Sequence, residues 1–190
     1  MASDEGSTIM LRIKGGDERA FGELVERYQE EMLNYFFRLS GDRYSAEDMT
    51  QELFLRVFRF RDRYEPRASF RSFMYSLARN LWIDRYRKAR IRPRTASLDT
   101  GWGRRGEGRM EFSDTRTPTP PEAAVRKERV RRLAAALERL PERQREVLVL
   151  CLEGRLRYAE IAEIVGIPLG TVKSRVHAAV VRLRELMGEE

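Results

Sequence analysis

The chain has 190 residues, a formal net charge of +7 and an isoelectric point near 9.9, so a polyanion would attract it at long range, whether nucleic acid, membrane surface or acidic protein. Its one cysteine, Cys151, cannot form an internal disulfide, and its one histidine, His177, leaves no basis for a zinc site or a histidine-based catalytic triad. No apolar run approaches the roughly 20 residues needed to span a bilayer, and the opening MASDEGSTIM lacks a charged-then-apolar signal pattern, so a soluble, cytoplasmic protein without membrane insertion is expected.

Apolar residues recur at intervals of three and four and nothing alternates over strand length, which predicts an all-α protein. The first predicted helix runs from about Asp17, its cap, to Leu39, with Phe21, Leu24, Val25, Tyr28, Met32 and Phe36 as its core stripe. The second begins at Ser45, where Ser45 and Asp48 have the spacing of a capping box, and ends near Phe60. Met49, Leu53, Phe54, Val57 and Phe58 cover one half of its wheel, while Leu55 stands alone in the other half among Asp48, Gln51, Glu52 and Arg59. A lone exposed leucine usually has no significance, but one ringed by polar groups is also what an anchor for a partner helix looks like.

After a loop from Arg61 to Ala68 that contains Tyr64-Glu65-Pro66, a third helix is predicted from Phe70 to about Arg90, with Ser69 as its cap. Phe70, Phe73, Leu77 and Leu81 suit a core. Asn80, Asp84 and Arg87 form one polar stripe, and Tyr75, Arg79, Trp82 and Tyr86 form another, so the helix is expected to make two surface contacts. Aromatics interleaved with arginines suit single-stranded nucleic acid, in which bases stack on rings and phosphates meet charge; the competing reading places the rings, Trp82 above all, in the core.

From Arg92 to Pro121 the text RPRTASLDTGWGRRGEGRMEFSDTRTPTPP has no apolar period and reads as a linker. The expected organisation is therefore a domain over 9–91, a flexible linker over 92–121 and a second small helical domain over 122–188. A tether of about 30 residues spans about 30 Å as a relaxed coil and about 100 Å at full stretch, so it can connect two DNA contacts but cannot set their separation. Cys151 lies in the apolar run VLVLCLEG and is expected to fill core space.

The final segment, YAEIAEIVGIPLGTVKSRVHAAVVRL from Tyr158 to Leu183, has the grammar of a helix-turn-helix. Ile161, Ala162 and Val165 line one side of a short first helix, Gly166 supplies the left-handed turn residue, and Pro168 opens the second helix. On the second helix Val172, Val176, Ala179 and Leu183 share a core face, and Gly170, Ser174, His177 and Ala178 share the opposite, groove-facing side. Lys173, Arg175 and Arg182 lie on the flanks, where phosphates would be.

Taken in order, SAEDMTQELFLRVF, FRSFMYSLARNLWIDRYRK, LPERQREVLVLCLEG and the helix-turn-helix resemble the pieces of a bacterial sigma factor of the extracytoplasmic-function group, the minimal members of the sigma-70 family. The resemblance covers nearly the whole chain. It implies that Asp48, Gln51, Glu52, Leu55 and Arg59 face the coiled coil of the largest subunit of core RNA polymerase, with the second-largest subunit also a partner. It further implies that Arg63, Phe70, Arg71, Arg79, Asn80, Arg87 and Lys88, with the loop before Phe70, touch the opened downstream promoter element. Thr171, Lys173, Ser174, Arg175, His177 and Arg182 would then contact the upstream element in duplex DNA. An anti-sigma protein is a further possible partner, while no cofactor, metal or catalytic residue is implied. The chain departs from the family's usual pattern at Met74-Tyr75, where tryptophan-leucine is common, at Ala178, where an arginine commonly follows the histidine, and in a linker whose arginines outnumber its acids. A dimeric helix-turn-helix regulator with a sensing domain is the rival reading, but the chain shows neither a phosphorylation pocket nor a ligand cavity motif. A nuclease or phosphotransferase lacks the phosphate loop, metal cluster or acid-base pair it would need.

Overall fold

The computed structural model describes residues 4–91, 128 and 131–188, the side chains of 86–91 excepted. The expected linker over 92–121 therefore lies outside the described residues, as do the side chains of Tyr86, Arg87 and Lys88. Among the described residues all regular structure is helical: α1 (Glu5–Lys14), α2 (Glu18–Ser40), α3 (Arg43–Arg59), α4 (Phe70–Ile91), α5 (131–138), α6 (Glu142–Glu153), α7 (Tyr158–Val165) and α8 (Leu169–Met187). A single 3-10 turn, Arg61–Arg63, leads into the loop before α4.

Side-chain caps fix where most of the N-terminal helices begin. Asp17 accepts from the amides of Arg19 and Ala20 and starts α2 as expected. Ser69 Oγ accepts from Ser72 N at 3.1 Å and starts α4, again as expected. The start of α3 differs. Asp42, not Ser45, is its cap, because the Asp42 carboxylate reaches the amide of Ser45 at 2.9 Å and closes the turn three residues earlier; Ser45 is a donor inside that turn. Helix α1, which the periodicity leaves unassigned, is capped by Asp4.

The stripe on α2 enters the core as expected: Leu24, Tyr28, Met32 and Phe36 are buried, while Phe21 and Val25 are half-buried at its edge. It packs against Met49, Leu53, Phe54 and Val57 of α3, Met74, Ala78 and Leu81 of α4, and Ile9, Met10 and Ile13 of α1. Tyr75 and Trp82 are also buried, so these rings belong to the core and not to a nucleic-acid surface. Tyr75 meets Tyr35 edge-on at 5.1 Å, a favoured aromatic geometry.

The C-terminal helices do not form a separate core. Val147, Val149 and Leu150 of α6 and Ile161 of α7 belong to the same continuous buried cluster as α2 and α4, with α6 lying on α2 and α7 on α4. The two halves expected to move on a slack tether are thus docked in this conformation. A smaller cluster of Leu137, Leu140, Leu148 and Ala179 joins α5, α6 and α8. Cys151 is half-buried against the core, and burial pushes its thiol up to about 11.

Candidate protein and nucleic-acid interfaces

Three surfaces carry the residues singled out by the sequence. The first is on α3. Leu53, Phe54 and Val57 anchor one side of this helix, which leaves Leu55 on the other side and 50% exposed. Asp48, Gln51 and Arg59 are exposed around it, and Glu52 is half-buried. Arg56 Nε donates to Glu52 at 2.9 Å, one turn along the helix, and holds the Glu52 carboxyl below the usual carboxylate range. Asp48 is 3.8 Å from Arg85 of α4, so its position is coupled to the neighbouring helix. The arrangement is an apolar side chain within a polar ring of both charges, on a helix whose other side is fixed by the core.

The second surface, on α4 and the loop before it, is divided. Arg63 and Asn80 are exposed. Arg71 makes a bidentate contact with Glu31 of α2, at 3.1 and 2.9 Å, and lies 5.7 Å from the Tyr28 ring centroid. Phe70, expected to touch the downstream element, has no exposed surface. Its ring packs against Tyr28 at 5.2 Å and near Phe73 and Tyr64, and α1, which the helical periodicity does not predict, closes over it. In this conformation Phe70 supports the surface and does not reach it. Arg87 and Lys88 lie outside the described side chains.

Arg79 faces the C-terminal half. Its Nε donates to Glu146 of α6 at 2.7 Å, and both side chains are largely buried. Two further carboxylates of the same half also reach the N-terminal half. Glu153, two turns along α6, pairs with Arg38 of α2; burial raises its carboxyl above the usual range despite that arginine. Glu160 of α7 accepts from Ser72 Oγ at 2.8 Å and Ser69 Oγ at 3.2 Å, at the very start of α4. Burial opposes its charge, but these hydroxyls and the Arg157 amide, which donates at 2.8 Å, hold its carboxyl below the usual range. Of the second stripe read on α4, Tyr75 and Trp82 lie in the core, Tyr86 lies outside the described side chains, and Arg79 meets the protein's own α6.

The third surface is the helix-turn-helix. Gly166 adopts φ 71°, ψ 41°, the left-handed conformation that a β-carbon disfavours, and its amide closes α7 on the carbonyl of Ala162 at 2.9 Å. Pro168 caps α8 and is not its first helical residue; its φ of −58° and ψ of 145° turn the chain so that α7 and α8 are bent by 103°. Val172 and Ala179 are buried, Val176 and Leu183 half-buried, while Lys173, Ser174, His177, Arg182 and Gly170 are exposed and Thr171, Arg175 and Ala178 partly so. The polar side of α8 is therefore open along its length, a shape and charge suited to a major groove. Among the described residues no cluster of acids, cysteines or histidine could hold a metal ion, and no single helix is long and apolar enough to cross a membrane.

Two family models match the chain. Residues 24–91 match the sigma-70 region 2 family and residues 130–183 match sigma-70, region 4. The chain is 34% identical to the ECF RNA polymerase sigma factor SigE of Mycolicibacterium smegmatis, over 98% of this chain and 70% of that protein. It is 32% identical to the ECF RNA polymerase sigma factor SigW of Bacillus subtilis, over 92% of both. Among solved structures, the sigma factor RpoE of Bartonella quintana, in complex with the anti-sigma factor NepR, shares the fold with a TM-score of 0.65 at 22% identity, over 88% of this chain and 96% of that one. CnrH in complex with the cytosolic domain of CnrY is similar, with a TM-score of 0.64 at 22% identity, over 95% and 96%. Two sigma regions in their family order, an open reading helix and curated relatives that span nearly the whole chain lead to one conclusion: the chain belongs to the ECF RNA polymerase sigma factors of the sigma-70 family, promoter-specificity subunits that direct core RNA polymerase to promoter DNA.

Proposed function

We propose that this sigma factor docks on core polymerase through α3, with Leu55 as the buried anchor and Asp48, Gln51, Glu52 and Arg59 as its polar rim against the largest subunit's coiled coil. The observation that carries this reading is the exposure of Leu55 on a helix whose opposite side is wholly committed to the core, because an anchor must be free before binding yet rigidly held. The domain over 9–91 then presents Arg63, Asn80, Arg87, Lys88 and the loop before α4 to the opened downstream element. The domain over 122–188 presents Thr171, Lys173, Ser174, Arg175, His177 and Arg182 to the upstream element. The protein contributes no catalytic group; polymerisation belongs to the partner.

The docked arrangement adds a step. Arg79 cannot contact DNA while Glu146 holds it, so engagement of the downstream element through Arg79 follows separation of α6 and α7 from α2 and α4. Tyr35 supports a reversible closure. Its hydroxyl is buried between the halves without a hydrogen-bond partner among the described residues, a cost of about 1–3 kcal/mol that opening relieves. The solved relatives in complex with NepR and CnrY support a second partner of the same kind, an anti-sigma protein that binds when polymerase does not.

Capture of core polymerase by the purified chain, followed by run-off transcription, tests the reading. The expected result is promoter-dependent transcript only when both are present. Tight, specific binding of the free protein to a palindromic duplex, without polymerase capture, would instead make it a self-sufficient regulator.

A further inference from the structure

Helix α1 lies outside both segments that match the family, yet it holds the loop before α4 at two points. The Asp4 carboxylate caps two helices at once. One oxygen accepts from the Ser7 amide at 2.8 Å, within α1, and the other accepts from the Phe70 amide at 2.8 Å, the first residue of α4. An unpaired first-turn amide and the positive end of α4 both favour a carboxylate at that place. Tyr64, in the middle of the loop, is fixed twice more: its hydroxyl bonds Ser7 Oγ at 3.0 Å, and its carbonyl accepts from Lys14 Nζ at 2.9 Å. Gly6 allows this approach, since a β-carbon there would come within 2.6 Å of the Phe70 ring and 2.5 Å of the Tyr28 hydroxyl.

The loop is thus held at Tyr64 and at Phe70, while Glu65, Pro66, Arg67 and Ala68 between them are exposed. A short tip between two fixed points is pre-organised: its residues lose little freedom on binding, and a small shift of either point moves the tip. We propose that α1 is the positioning device for this loop, and that Asp4, Ser7 and Lys14 are positioning residues for downstream-element recognition. The inference rests on the reading that the loop before α4 contacts the opened element.

The test uses the whole 190-residue chain with core polymerase, transcribing from one promoter and from a version with an altered downstream element. Asp4→Ser keeps a cap on α1 but is too short to reach the Phe70 amide, and Lys14→Met removes the bond to Tyr64 at an exposed position. Each is expected to lower discrimination between the two promoters about fivefold, the scale of one missing capping interaction. Binding to core polymerase and to an isolated upstream duplex should stay unchanged. Asp4→Ala should do no less than Asp4→Ser. Full discrimination by Asp4→Ser and Lys14→Met would overturn the proposal, as would a fall in polymerase binding that matches the fall in discrimination, which is the mark of general unfolding. Arg67→Ala, at the tip, separates this outcome from failure of the underlying reading. If it changes discrimination and the α1 variants do not, α1 is passive; if it leaves discrimination unchanged, the loop does not read the element and the proposal falls with it.

Discussion

Helices α4 and α8 both carry arginine and polar residues at helical spacing, yet in this conformation α8 turns that side to solvent and α4 gives part of it to α6 and α7. The difference lies in the third dimension. On α8 the residues opposite the polar side, Val172 and Ala179, are buried, and among the described residues none covers Ser174 or His177. At α4, Arg79 meets Glu146, and Ser72 and the cap Ser69 meet Glu160, while Glu153 pairs with Arg38 on the neighbouring α2. A carboxylate offers a guanidinium or hydroxyl much of what a phosphate offers, so the C-terminal half occupies part of the face proposed above for the downstream element.

The largest test of that contrast reverses a charge. Glu146→Lys places two cations where a buried pair now sits, a change of about 3–5 kcal/mol against the docked arrangement. The radius of gyration of the free protein from X-ray scattering should increase, and its affinity for single-stranded DNA should rise. An unchanged radius with lowered thermal stability would show that the halves cannot separate.

Leu55 lies on neither helix and is exposed with the halves docked, so it separates polymerase docking from opening. Leu55→Arg should weaken binding to core polymerase by about 2 kcal/mol or more while changing fold stability by no more than about 0.5 kcal/mol. Titration of labelled protein with core polymerase, beside a urea melt, reads both. A large loss of stability with unchanged affinity would return Leu55 to the core.

On α8, replacing Ser174 or His177 with alanine should shift which upstream sequence is preferred, by about 1–3 kcal/mol per base pair affected. Lys173→Ala or Arg182→Ala should instead weaken all sequences and reduce the salt slope by about 1 for each phosphate no longer neutralised. Binding arrays at several salt concentrations distinguish the two patterns, and one uniform effect at all four positions would mean the helix is rotated from the orientation described.

The smallest effect is expected at Tyr35. Tyr35→Phe removes a buried hydroxyl that has no hydrogen-bond partner among the described residues and should stabilise the docked chain by about 1 kcal/mol, read as a higher urea midpoint. The same variant should bind single-stranded DNA more weakly when free, opposite in sign to Glu146→Lys.

Much of this is legible in the sequence where the signal is local. The caps at Asp17 and Ser69, the turn at Gly166 and the alternation of faces on α8 depend on residues a few positions apart, and each is found where its spacing puts it. The cap of α3 lies three residues before the expected Ser45 because Asp42 and Ser45 both carry acceptors, and only the geometry selects between them. Helix α1 escapes the pattern because ten residues with Ile9, Met10 and Ile13 give barely three turns of it. The same gap accounts for Phe70, whose cover α1 supplies. The face of α4 that meets Glu146 can be recognised as a contact surface but not assigned a partner, since the partner is 67 residues away in sequence and has the same charge chemistry as the expected one.

The shared core also has a consequence in time. The N-terminal half is complete once Ile91 has been synthesised, whereas α7, the last helix to lie on it, ends at Val165. At about 5–20 residues per second, roughly 4–15 s separate the two. Until α6 itself is made, ending at Glu153 and so for the larger part of that interval, Tyr35, Tyr75 and Arg79 have no α6 to cover them, while Leu55 is already presented on α3. The nascent chain therefore passes through an open form before it first closes, and a polymerase met during synthesis encounters a sigma factor with nothing to displace.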